Sequence, residues 1–333
     1  MMGCVMKSLK VLAVVLGFGC ATVAHADDTI RIMAPVWTGF APVLVAQDLG
    51  YFKNAHLSVD LKFSDERSDV MAAMAHGSIE IEMRALSEYQ GRPRDETTPG
   101  IVIGSIDRSL GGDGVIVDGS IHDVSDLKGK IVASESNIPG RLLLQMELHK
   151  HGMTLADLKM KEILTSDSVA VFADPSIAAV VTYQPFLQQI LGISADRHPK
   201  ELVSSADYPD YIVDVLVARN DDLKANPDKY KRFLKALYKA VAYYKSNPED
   251  FAKIAAPHFD LSPDDFKKSV VGSLEYTDLA QSKAYMGTPK KPGKINEIFV
   301  TLMGLNIENG AASVRLDPAH SIDSSLIAEI SSP

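Results

Sequence analysis

A chain of 333 residues, 46% apolar and 23% charged, is long enough for two packed units and has the composition of a soluble protein rather than of a fibre or a disordered tail. Its formal charge of −9, with 43 acidic against 34 basic residues, argues against nucleic acid or an anionic membrane as partner. Both cysteines, Cys4 and Cys20, fall within the first 26 residues, so the remainder offers no thiol nucleophile, no Cys-bound metal and no disulfide.

The first 26 residues read as an export signal. Lys7 and Lys10 precede an apolar run from Val11 to Phe18, and Ala24-His25-Ala26 has the small-x-small pattern of a cleavage site before Asp27. The run is too short for a permanent membrane span, and no later segment has about 18 uninterrupted apolar residues. Gly17-Phe18-Gly19 before Cys20 is a poor lipid-attachment signal. The expectation is a periplasmic protein, with 32 basic and 43 acidic residues once the two lysines are gone.

From Ile30 to Asn54 the chain reads as strand, loop and helix. Ile30 and Ile32 alternate with Arg31, and Ala41, Leu44, Val45, Leu49 and Phe52 recur at helical spacing after the Trp37-Thr38-Gly39 turn. Leu57, Val59, Leu61 and Phe63 alternate with polar residues as a second strand. Ser68 opens a short helix that Gly77 ends. Ile79, Ile81 and Met83 form a third strand with Arg84 at its end, and Ile101 to Ile106 form a fourth that leads to Asp107 and to Gly111-Gly112-Asp113-Gly114. The middle third keeps the rhythm, with strands at Lys130 to Ala133, near Ile163 and at Ala178 to Val181, and helices from Gly140 and Pro185. The alternation predicts an α/β fold with mostly parallel sheets. After the run Tyr211 to Ala218 the pattern turns helical, with Pro227, Pro248 and Pro263 at helix starts. With no linker in between, two units would be joined by strand-like crossings at Asp113 to Asp118 and Asp214 to Ala218, enclosing a cleft.

Several of these features together resemble the solute-binding proteins of ABC importers in the nitrate/sulfonate/taurine and thiamine-precursor group. They are Ala46-x-x-Leu49-Gly50-Tyr51-Phe52, Asp126-Leu127-Lys128-Gly129-Lys130 before a strand, the Thr182-Tyr183-Gln184-Pro185 turn, and the Tyr208 to Asp214 stretch before Pro-started helices. The resemblance spans nearly all of residues 27–333. It implies the two-lobed periplasmic binding protein fold of type II: residues 27–114 and 214–333 in lobe 1, residues 115–213 in lobe 2, each lobe a sheet flanked by helices, the ligand between them. It further implies a monomer without cofactor that serves a membrane permease and its ATPase. The pyrimidine synthases of the same group rely on a Cys-rich motif that this chain lacks.

Two departures set the expected ligand. Relatives commonly carry an acid in a Trp-Glu-Pro turn where this chain has Tyr183-Gln184-Pro185, and small hydroxyl residues where it has Met83-Arg84-Ala85. An acid lost and an arginine gained predict a positive cleft and an anionic or zwitterionic solute, because an Arg fork matches carboxylate or sulfonate. A pyrimidine or amidine nutrient, a periplasmic enzyme and a sensor subunit are the alternatives.

The candidate ligand-binding residues stand at strand ends and helix starts. Trp37 either stacks on ligand or packs on the helix below it. Thr38 and Gly39 stand where backbone N–H groups meet an anion. Arg84 and Asp107 either touch ligand or pair with each other. Ser134, Ser136 and Asn137 cap the following helix or bind through the same free N–H groups. Tyr183 and Gln184 would wall the cleft, and Asp214 would cap a crossing or hold an ammonium group. Arg141, in the first turn of a helix, needs an acid or a ligand opposite it. No GxSxG, GxxxxGK[ST] or HExxH motif occurs, and His149-Lys150-His151 reads as a solvated helix end, so neither a catalytic set nor a metal site is expected.

Overall fold

The computed structural model describes residues 27–91, 94, 98, 100–193 and 197–331; the expected export signal and its cleavage site lie outside them. Among the described residues no helix is long and apolar enough to cross a membrane.

Eleven strands build two sheets. In chain order they are β1 (Asp28–Ala34), β2 (Leu57–Phe63), β3 (Ile81–Ala85), β4 (Ile101–Ser109), β5 (Asp113–Val117), β6 (Ile131–Ser134), β7 (Lys159–Glu162), β8 (Ile177–Tyr183), β9 (Lys200–Ser204), β10 (Val213–Ala218) and β11 (Leu274–Tyr276). The first sheet has the order β11-β4-β10-β3-β1-β2 and the second β7-β6-β8-β5-β9. The α/β expectation holds, but the sheets are mixed. β1 lies parallel to β2 and β3, and β6 to β7 and β8, whereas β10 is antiparallel to β3 and β4, and β5 to β8 and β9. Two of the reversed strands, β5 and β10, are the first in chain order to enter their sheet after the chain has crossed over, and the short β11 is also antiparallel to β4. A strand entering from the other half arrives at the edge where its neighbours end, so it must run back against them.

The runs expected to be the crossings are therefore β5 and β10, each wholly inside one sheet. The chain passes between sheets just before them, at 110–112 and 205–212. Ser205 ties the two passages together: its hydroxyl lies 2.8 Å from that of Ser109 and accepts the backbone N–H of Gly111 at 2.6 Å.

Five helices matter most for the site: α1 (Ala41–Asp48), α2 (Leu86–Tyr89), α3 (Pro139–Lys150), α4 (Pro227–Ser246) and α5 (Lys294–Glu308). The long amphipathic α4 buries Tyr230, Phe233, Leu234, Leu237 and Val241, and Phe233 stacks on Phe52 at 5.2 Å. Each such apolar side chain contributes about 1.5–3 kcal/mol, which anchors α1 and with it the Trp37 turn. From the other half, α3 meets α5, where Asn309 donates to Gln145 at 2.9 Å and His149 lies 2.8 Å from Glu308.

Candidate functional site

Strand register places the site. Across the first sheet the ladder aligns Tyr276 with Asp107, Asp107 with Asp214, and Asp214 with Ala85. In the second sheet Asp113 pairs with Tyr183. Both rows end at the edge where the chain crosses, so three aspartates from three strands converge there. This is the carboxyl edge of β1, β3 and β4, where open α/β sheets hold ligands.

A narrow cavity lies at that point, lined by Pro35, Trp37, Phe40, Ala85, Glu88, Asp113, Pro139, Tyr183, Ile212 and Asp214. Both halves contribute to it. Trp37 meets Tyr183 edge to face across it, with ring centres 6.0 Å apart. The Trp37 indole N–H donates to the Asp107 carboxylate, 3.2 and 3.3 Å from its two oxygens. Gly39 is required by that contact, since a Cβ there would collide with the indole nitrogen and the Asp107 carboxyl.

The electrostatics of the cavity are those of crowded acids. Burial raises the Asp107 carboxyl from its ordinary 3.8 to about 7, with hydrogen bonds from Asp214 and Trp37 working the other way. Burial, then the charge of Asp107, holds Asp214 well above the usual range. Burial also raises Asp113 to about 7, opposed by a hydrogen bond from Ser109 and reinforced by Asp107 and Glu88. Neither Asp113 nor Asp214 has a basic partner among the described residues.

An adjoining pocket shares Pro35, Glu88 and Tyr183 with the cavity and adds Ser64, Asp65, Arg67, Arg84 and Glu135. Here the acids are paired. Arg67 donates to Glu88 at 2.7 Å and lies 3.8 Å from Glu135; Arg84 Nε is 3.2 Å from Glu82, and Arg94 reaches the other Glu82 oxygen at 2.8 Å. Glu82 and Arg84 are two residues apart on β3 and so share a face. Burial alone would raise Glu82, but the guanidiniums of Arg94 and Arg84 hold it below its ordinary value.

Of the expected site residues, Trp37, Tyr183 and Asp214 line the cavity and Arg84 the adjoining pocket. Asp107 sits behind Trp37. The alternative pairing of Arg84 with Asp107 is replaced by Arg84 with Glu82, because β10 intervenes between β3 and β4. Thr38, Gly39, Ser134, Ser136, Asn137 and Gln184 are not among the lining residues. The Thr38 carbonyl accepts from Tyr276 at 2.8 Å, and the Ser134 hydroxyl donates to the Glu135 carbonyl at 2.8 Å. Ser136 is exposed. Asn137, at φ 66°, places its amide 3.4 Å from the Glu88 carbonyl, and the Gln184 amide approaches Ser273 at 3.5 Å. Arg141 finds its acid in Glu162, at 2.8 Å. His149 and His151 diverge toward Glu308 and Asp123.

The expectation of a positive cleft fails on this geometry. The arginine that carried it faces Glu82, and among the described residues the cavity wall holds three carboxyl groups and no basic side chain. Glu88 and Asp113 were the residues missing from the sequence reading. Asp113 had a signal, as an acid opening the apolar run Val115 to Val117. Glu88 had a weaker one: its carboxylate accepts the Ala85 N–H at 3.1 Å, a capping contact at a helix too short to show periodicity.

Comparison with known proteins places residues 37–251 in a match to the family model described as NMT1/THI5 like. A protein of Brucella abortus, named provisionally as a binding protein, is 26% identical over 248 residues, which cover 71% of this chain and 73% of that one. Among solved structures, the alkanesulfonate-binding protein SsuA from Xanthomonas axonopodis, bound to MOPS, superposes with a TM-score of 0.72 at 14% identity, covering 91% of this chain and all of that one. The desulfurization enzyme DSZB superposes with a TM-score of 0.64 at 12% identity over 90% of this chain and 98% of its own. The fold is the two-lobed one of the periplasmic binding proteins.

Proposed function

The chain belongs to the NMT1/THI5-like family, and from that premise we propose that it is the solute receptor of an ABC-type importer. It holds one small molecule between its two halves and passes it to a membrane permease driven by an ATPase, acting as an exported monomer without cofactor. The observation that carries the reading is the cavity itself. It lies where the chain crosses twice between sheets, and both halves wall it, through Trp37, Glu88 and Asp214 on one side and Asp113, Pro139 and Tyr183 on the other. A ligand that touches both halves binds the closed arrangement better than the open one, and that differential affinity is what a permease recognises.

Trp37 is the only tryptophan and lines the cavity, so its fluorescence reports occupancy directly. Titration of the purified protein with candidate solutes should give a saturable change at one ligand per chain. A cavity-filling substitution without a fluorescent indole, Ala85→Leu, should abolish it while the protein stays folded, and an unchanged response in that variant would count against the site.

A periplasmic enzyme is the second reading, because Asp107 and Asp214 stand side by side with raised proton affinity, as acid and base pairs do. Recovery of the bound compound unaltered after prolonged incubation separates the receptor from it.

A further inference from the structure

We infer that the occupant of this cavity is a compact organic cation with two or more N–H donors, an amidinium or a guanidinium. The inference rests on the receptor reading above and adds the class of ligand.

Three observations carry it. The first is charge. Asp113 and Asp214 come from different sheets, are 3% and 5% exposed, and both face the cavity together with Glu88. A buried carboxylate without a cation is costly, and one beside another carboxylate more so. Arg67, Arg84 and Arg94 do not relieve them, being engaged by Glu88, Glu135 and Glu82. An anion entering here would add to the repulsion, whereas a cation removes it.

The second is shape and chemistry of the walls. Trp37, Phe40 and Tyr183 are aromatic, and Pro35, Pro139 and Ile212 apolar, which suits a flat cation lying on ring faces better than a hydrated ion. Among the described residues no group of three or more His, Cys, Asp or Glu is arranged to hold a metal ion. The charge to be accepted is therefore that of an organic group.

The third is placement. Asp214 on β10 and Asp113 on β5 flank the two crossings, so a ligand donating N–H bonds to both joins the two sheets at the crossings. Donors at two points of the ligand are needed for that, which a quaternary ammonium lacks. Anions and neutral molecules cannot donate to both carboxylates while neutralising them.

The test is a titration at pH 8, followed by Trp37 fluorescence and by calorimetry, with formamidine, acetamidine and methylguanidine as cationic probes. Methanesulfonate, nitrate and uracil serve as anionic and neutral probes. At least one of the first three should saturate one site per chain, and Asp214→Asn and Asp113→Asn should each weaken it by at least 30-fold. Both variants replace a crowded acid with a neutral isostere, so their thermal unfolding should be at least as late as that of the parent. Saturation by methanesulfonate, nitrate or uracil with no response to the cations overturns the ligand class and leaves the receptor standing. Cation binding that is unchanged in both variants does the same. Failure of acetamidine and its cationic relatives to bind the folded parent protein overturns the ligand class, whereas the receptor reading falls only if the cavity-filling variant leaves solute binding unchanged.

Discussion

Two groups of buried acids lie side by side in this molecule and obey opposite rules. Glu82 stands against Arg84 and Arg94, and Glu88 against Arg67, with Glu135 3.8 Å from Arg67 and still raised by burial; Asp107, Asp113 and Asp214 stand against one another. Glu82 is fully buried yet its proton affinity is lowered by the guanidiniums, whereas equal burial without a guanidinium raises Asp113 to about 7. For fully buried acids the close guanidiniums decide the direction: Glu82 has two and is lowered, Asp113 has none and is raised. Where the chain supplies that partner the acid is architecture, and where it supplies none the acid waits for something from outside.

Breaking the paired group should have the largest effect. Arg84→Ala leaves Glu82 buried with half its compensation, and the expected loss is about 3–5 kcal/mol in urea unfolding, as for other buried pairs that lose one member. Adding Glu82→Gln should recover a large part of it. If the single and double variants unfold alike, the pairing does not hold the fold.

The unpaired group should make apo stability depend on pH with the opposite sign to ordinary acid denaturation. The folded-state values of Asp107 and Asp113, about 7, exceed the ordinary 3.8, so between these limits the folded chain holds more protons than the unfolded one. Their contribution is complete below about pH 4 and is lost as pH rises through about 7, by roughly 2–4 kcal/mol for Asp113, while Asp107 shares its titration with Asp214. Glu82 works the other way, losing its contribution on acidification. Unfolding free energies of the parent and of Asp113→Asn from pH 4 to pH 8 test this: the variant should be the more stable at pH 8 and the advantage should vanish near pH 4.

The same protons oppose a cationic ligand, so its affinity should rise with pH toward and through about 7, by up to about tenfold per pH unit for each proton displaced. Calorimetry in buffers of different ionisation heat should register proton release on binding. An affinity independent of pH would mean that the aspartates are ionised before the ligand arrives.

Smaller effects sharpen the contrast. Trp37→Phe removes the one N–H donor on Asp107, which should raise that carboxyl further and lower stability at pH 8 by about 1.5–3 kcal/mol. At the far end of the scale, Glu162→Gln breaks a pair with Arg141 that is largely exposed on the acid side, and chemical denaturation should move by no more than about 0.5 kcal/mol.

Much of the fold could be read from periodicity, because strand alternation and proline-started helices are local properties. β2 appears where Leu57 to Phe63 alternate, and Ser262 caps its helix by accepting the Asp265 N–H. The site was legible only in part. Trp37, Tyr183 and Asp214 stand at turns or strand ends that the sequence marks. The spacing of Glu82 and Arg84 announced a same-face pair, so the neutralisation of Arg84 was available to a sequence reader. The reversal of β5 and β10 was not, since strand direction depends on which neighbour a strand meets.

What the sequence by itself determined is the set of elements, the family resemblance and the presence of acids interrupting apolar strands at Asp107, Asp113 and Asp214. What only the tertiary structure decided is that these acids face one another. Their convergence follows from register between strands as distant as β4 and β10, and from the double crossing that carries β5 into the second sheet and returns β10 to the first. Charge acts through space over a few ångströms, and a sequence records distance along the chain, so the sign of the cleft could be known only once the two sheets were folded against each other.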